Sequence, residues 1–426
     1  MIFYTVKSGD TVFSIARSFG VSPERIIFDN GLENIDRPVV GQSLIILQPE
    51  TVYTVRPGDT LFSIASAFST DVNQLLRNNP YLTASEFLRV GQNIVISFTD
   101  KPQKQMRING YAYPFISLPL LRRTLPFLST LTIFGYGFYD SGELLAPNDL
   151  PLIEQAKQFG VAPILLLTSI LENGNFSSER SSLLFNDLML QNTVLNNLVE
   201  VMNRKGYRGL DIDFEFVAPE DTGAFIRFIE NATEIMNDNG FFVNVDLAPK
   251  ASADQRGLLY EAHDYPAIGS IADTVFLMTY EWGYTYGPPL AVAPVNQVRR
   301  IVEYAVSEIE PNKILLGIPN YAYDWTLPYE KGITKATTIG NQYAITVASQ
   351  NNTEILFDEK SQAPYFYYNS QGRDHVVWFE DVRSINAKFD VADQFALRGV
   401  GYWNLMRPFA QNLSLLSVRY TPEKVL

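Results

Sequence analysis

The chain has 426 residues, 46% hydrophobic and 19% charged, which is the profile of a globular protein with room for two or three domains. A formal net charge of −13 argues against nucleic acid as a partner, because phosphate binding needs a basic footprint. With no cysteine and only two histidines, His263 and His375, disulfides and thiolate metal sites are excluded, and neither a histidine-rich metal centre nor a cofactor is expected. Both histidines read as structural or surface residues. No run reaches the ~18 apolar residues of a membrane-spanning helix, so no membrane partner is expected. The opening Met1-Ile2-Phe3-Tyr4-Thr5-Val6 has no basic segment followed by an apolar one, so no signal peptide is evident. Tyr, Phe and Trp number 23, 28 and 4; such rings stack on sugar faces and equally fill cores.

The first hundred residues contain a duplication. The segment from Tyr4 to Ala16 matches that from Tyr53 to Ala65, and Val40-Gly41-Gln42 matches Val90-Gly91-Gln92. One small unit is used twice, and each copy reads as strand, helix, helix, strand. Tyr4-Thr5-Val6 alternates like a strand. Gly9-Asp10 is a turn, and Thr11 is placed to cap a helix whose stripe is Ile15, Ala16 and Phe19. A second short helix carries Ile26 and Ile27, or Leu75 and Leu76. Leu44-Ile45-Ile46 and Ile94-Val95-Ile96 close the units. Both units resemble LysM modules, which bind glycans containing N-acetylglucosamine. The resemblance implies a sugar groove at Gly9, Asp10, Thr11, Asp29 and Asn30 in residues 1–48. In residues 51–98 it implies one at Gly58, Asp59, Thr60, Asn78 and Asn79.

Residues 99–105 are polar and interrupted by Pro102, so they read as a linker. From 106 to 426, strand-like runs alternate with helical patterns. The strand candidates begin at Ile108, Thr132, Ala162, Gly209, Phe242, Thr274, Ile314 and Val400. Helical stripes over 148–159, 221–239 and 296–309 lie among them. This alternation implies a parallel sheet with right-handed crossovers, and eight units suit an α/β (β/α)8 TIM barrel. Between the seventh and eighth strands, about 324–380 reads as a small β-rich insertion. Its strand candidates are Tyr343–Val347, Glu354–Phe357, Tyr365–Tyr368 and His375–Phe379. Asp381–Phe395 then reads as the return helix.

The fourth strand candidate runs into Asp211-Ile212-Asp213-Phe214-Glu215. As a strand it would set three carboxylates on one face, with Leu210, Ile212, Phe214 and Phe216 on the other. Carboxylates so close raise one another's proton affinity. A protonated acid beside a charged carboxylate is equipped to cleave a glycosidic bond. In a barrel, active sites lie at the C-terminal strand ends, where Asp246, Tyr280, Asn320, Tyr321 and Trp403 also fall.

The run from Gly209 to Glu215 resembles the signature of family 18 glycoside hydrolases. Met278-Thr279-Tyr280, Leu316-Gly317-Ile318-Pro319 and Gly401-Tyr402-Trp403 resemble later segments of that family in the same order. The resemblance implies Glu215 as general acid. The substrate's own acetamido oxygen would be the nucleophile, giving retention. Asp213 would orient the acetamide and steady the oxazolinium ion, Asp211 would tune Asp213, and Tyr280 would hydrogen-bond the acetamide oxygen. Trp403 would floor the sugar site, with Asn320, Tyr321, Asp246 and Glu281 as further substrate-binding candidates. Two positions depart from the pattern: Arg208 stands where the family carries Asp, and Glu281 follows Met-x-Tyr where Asp is common.

Tandem LysM units with this domain resemble the cortical fragment-lytic enzymes of endospore-forming bacteria. That resemblance implies a monomeric N-acetylglucosaminidase of the spore cortex or coat region, acting on peptidoglycan during germination. A LysM-targeted chitinase and a catalytically inactive glycan-binding coat protein remain open alternatives, as does a protein-binding role for the LysM pair.

Overall fold

The computed structural model of the protein describes residues 1–32, 37–82 and 88–426. Each N-terminal unit is a two-stranded antiparallel sheet carrying two helices. Ile2–Thr5 pairs with Ser43–Ile46 around helices Val12–Phe19 and Pro23–Asn30. Pro49–Thr54 pairs with Asn93–Phe98 around Leu61–Ala67 and Val72–Asn78. Thr11 caps the first helix reciprocally with Ser14: the Ser14 N–H donates to Thr11 Oγ1 and the Thr11 N–H to Ser14 Oγ, both at 3.0 Å. Thr60 and Ser63 repeat this box at 3.0 Å. Such caps satisfy amides that the helix leaves unpaired.

The large domain is a closed barrel of parallel strands. In chain order they are β1 (Lys104–Ala112), β2 (Thr130–Phe138), β3 (Ala162–Leu167), β4 (Gly209–Ile212), β5 (Phe242–Leu247), β6 (Thr274–Leu277), β7 (Ile314–Pro319) and β8 (Gly399–Trp403). Each pairs with the next, and β8 pairs with β1 to close the ring. Closure requires Gly399: a Cβ there would sit 1.9 Å from the Arg107 carbonyl oxygen. Three expected helices form as Leu150–Gln158, Thr222–Asp238 and Val295–Glu308. Leu152, Ile153 and Ala156 of the first, and Val298, Ile301, Val302 and Ala305 of the last, face the core. Helices Ser178–Asn186 and Leu188–Lys205 fill the β3–β4 crossover.

The insertion between β7 and β8 is a five-stranded antiparallel sheet. Its order is Thr337–Ile339, Ala322–Thr326, Arg373–Trp378, Ala363–Ser370, Leu356–Asp358. One expectation fails here, because Tyr343–Val347 lies within a helix, Asn341–Gln350. Five residues of Tyr-Ala-Ile-Thr-Val alternate like a strand, but Asn341, Ala344, Ile345 and Ala348 form a buried stripe of helical spacing. That stripe packs into a small core with Ala322, Phe366 and Val377. The return helix is Val382–Gln394, capped by Asp381 and Ser384.

The N-terminal units are seated on the barrel's last helix, Ala410–Arg419. Buried Gln411 donates from Nε2 to the Ser43 carbonyl at 2.6 Å and to Asn30 Oδ1 at 3.0 Å. Ser414 Oγ donates to the Asp29 carbonyl at 3.0 Å. Arg77 of the second unit donates to the Pro126 carbonyl at 2.9 Å. Arg25 joins the units, pairing with Asp29 and donating to the Asn78 carbonyl at 2.7 Å.

Candidate active site

β4 ends at Ile212, so only Asp211 of the three carboxylates lies in a regular strand. Asp213 extends the ladder by one bond, its N–H donating to the Leu167 carbonyl at 3.0 Å. The chain then leaves the sheet. Phe214 is buried against Phe185, Phe225 and Phe228, whereas Phe216 is 51% exposed. The expected single strand face therefore becomes a graded set: Asp211 and Asp213 buried, Glu215 open to the cleft. Arg208, the departure from the family pattern, is exposed just before β4, at the barrel end opposite the carboxylates.

Within the barrel, Asp211 and Asp246 are bridged by Asn244, whose Nδ2 donates to Asp211 Oδ1 at 2.7 Å and to Asp246 Oδ1 at 3.1 Å. The Tyr111 hydroxyl also donates to Asp246 Oδ1, at 2.8 Å. Burial is the main force raising the pKa of all three buried aspartates. The charges of Glu215 and Asp211 push Asp213 up further, well above the usual carboxylate range. Those of Asp211 and Asp213 do the same to Asp246. For Asp211, hydrogen bonds from Asn244 and Tyr111 work in the opposite direction. Glu215 opens to solvent on one side, yet loss of water between the cleft walls is the larger cause of its raised pKa, followed by the charge of Glu281. Burial and like charge thus raise the proton affinity of this cluster above that of ordinary carboxyl groups.

The walls are aromatic. Trp403, at the end of β8, meets Tyr111, Tyr113 and Phe134 with ring centroids 5.6–5.9 Å apart. Tyr280 follows β6 and is 9% exposed. Among the described residues no group accepts a hydrogen bond from its hydroxyl, while the charges of Asp246, Glu215 and Asp213 add to the burial that raises its pKa. Glu281 adopts φ of +69°, a conformation a side chain of this kind seldom takes. It accepts hydrogen bonds from Tyr321 and from Tyr323, the latter at 3.0 Å and 3.2 Å.

The structure gives several of the expected contact residues partners of their own. Asp246 is 3% exposed and accepts hydrogen bonds from Tyr111 and Asn244 within the barrel. Asn320 donates to the Asn404 and Arg407 carbonyls at 2.9 Å and 2.8 Å, so its amide pins the loop behind Trp403. Tyr321 acts through Glu281. In the N-terminal units, Asn30 and Asn79 are inside, each clamping the closing strand through both amide atoms: Asn30 to Ile45 and Asn79 to Val95, at 2.8–2.9 Å. Asp29 is held by Arg25 and Asn78 donates to the Ile96 carbonyl at 2.7 Å. All four are buried and hydrogen-bond within the protein. The turns differ: Gly9, Thr11, Gly58 and Thr60 are exposed, and Asp10 and Asp59 are partly so. Asp10 accepts from the Tyr4 hydroxyl at 2.7 Å and Asp59 from that of Tyr53 at 2.8 Å, bonds that shape the turns.

Site residues outside the sequence expectation are Tyr111, Tyr113, Tyr323 and Asn244. Tyr111 and Asn244 had a signal, since each lies on a strand at an alternating position where apolar barrel residues are the rule.

Comparison with known proteins agrees with this geometry. The family description "Glycosyl hydrolases family 18" matches residues 167–407, and "LysM domain" matches residues 4–47 and 53–97. The chain is 39% identical over 431 residues to the "Cortical fragment-lytic enzyme" of Bacillus subtilis (strain 168), covering 100% of this chain and 99% of the relative. The solved Bacillus megaterium QM B1551 spore cortex-lytic enzyme SleL superposes with a TM-score of 0.83 at 38% identity, covering 100% and 99% of the two chains. SleL of Bacillus cereus gives 0.83 at 35% identity, covering 99% and 98%. With the barrel, the carboxylate run after its fourth strand and these full-length likenesses together, the chain belongs to glycosyl hydrolase family 18 and carries two LysM domains ahead of the catalytic barrel.

Proposed function

We propose that this glycosidase hydrolyses the bond that follows N-acetylglucosamine in spore-cortex peptidoglycan fragments, with retention and with the substrate's acetamido group as nucleophile. The observation that carries the reading is the inequality of the carboxylates: Glu215 is open to the cleft and Asp213 is buried behind it with a pKa held well above the usual range. A buried aspartate with so raised a proton affinity is a poor nucleophile. It suits an acetamide N–H, and passing its proton to the neighbouring Asp211 leaves it the negative charge that steadies an oxazolinium ion. Glu215 gives its proton to the leaving oxygen and afterwards takes one from water. Tyr280 offers its hydroxyl to the acetamide oxygen, and Trp403 supplies an apolar floor. The full-length relatives named for cortex lysis support cortex as the substrate and the spore as the site of action. The exposed Gly-Asp-Thr turns at 9–11 and 58–60 are the proposed glycan contacts of the LysM domains.

Glu215→Gln removes the proton donor while keeping the size of the side chain. Turnover of purified cortex fragments should fall on the order of 10³-fold or more, with fragment binding retained. Turnover unchanged would overturn the mechanism. Release of products from chitin but not from cortex fragments would overturn the substrate.

A further inference from the structure

The barrel below the catalytic carboxylates is polar where such barrels are ordinarily filled with branched apolar side chains. The Thr130 hydroxyl donates to Asn109 Oδ1 at 2.8 Å, and Asn109 Nδ2 donates to Thr132 Oγ1 at 3.0 Å. The Thr274 hydroxyl donates to Asn244 Oδ1 at 2.8 Å. In this arrangement the Asn244 oxygen takes the Thr274 hydroxyl while its amino group faces Asp211 and Asp246. All of these side chains are buried, and neither Lys, Arg nor His pairs with Asp211, Asp213 or Asp246 among the described residues. The titratable groups facing Asp246 are Asp211 and Asp213 from the β4 end, Tyr111 from β1 and Tyr280 from the β6 end. One oxygen of Asp211 and one of Asp213, Oδ2 and Oδ1, are buried without a protein partner.

We propose that Asp246 is a fourth carboxyl group of the catalytic cluster, holding a proton beside Asp211 and Asp213, and that Asn244, oriented by Thr274, is the positioning residue that keeps Asp211 the ionised member. The inference rests on the assignment of Glu215 and Asp213 above. Three buried carboxyl groups without a cation cannot all be charged. Tyr111 and Asn244 both donate to one oxygen of Asp246, leaving its other oxygen to carry the proton. Asp211, with Asn244 donating at the shorter distance, is the better anion. The proton balance of the reaction is unchanged: Glu215 still gives and regains its proton. Asn244 sets the pH below which the Asp211–Asp213 pair loses the charge the intermediate needs.

The test is the pH profile of kcat/KM on cortex fragments for the full chain, compared among Asp246→Asn, Asn244→Leu, Thr274→Val and Glu215→Gln. Asp246 is already neutral, so Asp246→Asn exchanges one uncharged group for another and should leave the acidic limb in place with KM unchanged, whereas an Asp246 that carried charge would on removal let the limb move to lower pH. Removing the donor in Asn244→Leu should move it to higher pH. Thr274→Val, nearly the same shape, should move it the same way by less, and it keeps the test open should Asn244→Leu fail to fold. A shift on the order of tenfold in relative rate at the wild-type midpoint is expected for Asn244→Leu. A limb that moves to lower pH in Asp246→Asn, or one that stays in place in folded Thr274→Val, overturns the inference, as does a rise in KM alone for Asp246→Asn, which marks a substrate contact. Full activity of Glu215→Gln would instead overturn the underlying assignment, so the two failures are distinct.

Discussion

At the scale of single residues, the site depends on which groups keep their water and which lose it. Glu215, Asp213 and Asp211 were legible as a chemical unit, because carboxylates at alternating positions in an apolar run demand an explanation. Their division of roles was less visible, since it depends on β4 stopping at Ile212 and on Phe214 turning into an aromatic cluster. Asn320 shows the limit of position alone: a strand end says that a residue is near the site, not which partners its polar atoms have, and the Asn320 amino group goes to the Asn404 and Arg407 carbonyls. The Tyr280 hydroxyl has no acceptor among the described residues, and Tyr280→Phe should lower kcat on the order of 10²-fold with little change in stability; steady-state kinetics and thermal unfolding together check this. His263 is fully buried and accepts the Ala248 N–H on Nδ1 at 3.0 Å. Burial pushes its pKa down to about 4. An unfolded histidine titrates near ~6.5, so the unfolded chain takes up this proton first. The residue's contribution is therefore complete above about pH 6.5 and is lost as pH falls toward 4, by up to about 3 kcal/mol. Urea unfolding at pH 7 and pH 5 should show a smaller pH dependence in His263→Gln than in the parent; equal dependence would contradict the neutral buried state.

At the scale of elements, periodicity located every barrel strand, because a parallel strand covered on both faces is a short apolar run between helical stripes. It failed where the window was short. Tyr343–Val347 alternates over five residues, and only the longer spacing through Asn341 and Ala348 reveals the helix. The strand Ala322–Thr326 follows β7 so closely that no turn signal separates it in the sequence. Barrel closure makes a sharp demand at Gly399, where a methyl group would meet the Arg107 carbonyl at 1.9 Å. Gly399→Ala should destabilise the barrel by more than about 3 kcal/mol, measured by chemical unfolding. Thr11→Ala loses one half of a capping box and should cost about 1 kcal/mol locally. Hydrogen exchange confined to the first LysM domain would register that loss.

At the scale of the whole molecule, the LysM domains are parts of one packed structure. Repeat matching separated them from the barrel, but nothing in the sequence marked the seam, because its groups are ordinary polar side chains: Gln411, Ser414, Arg25 and Arg77. Gln411→Ala would leave the Ser43 carbonyl without its donor in a buried interface and should cost about 1–3 kcal/mol, read as earlier release of the first LysM domain in limited proteolysis. Removal of residues 1–100 should weaken adsorption to cortex and also lower the unfolding temperature of the barrel, since it bares the helix Ala410–Arg419. A barrel of unchanged stability would show that the seam is incidental. The proposed cleavage of cortex glycan after N-acetylglucosamine by this family 18 site is read by mass analysis of borohydride-reduced products. Every new reducing end should be N-acetylglucosamine; a reduced muramic residue at the new ends would rule out N-acetylglucosaminidase action.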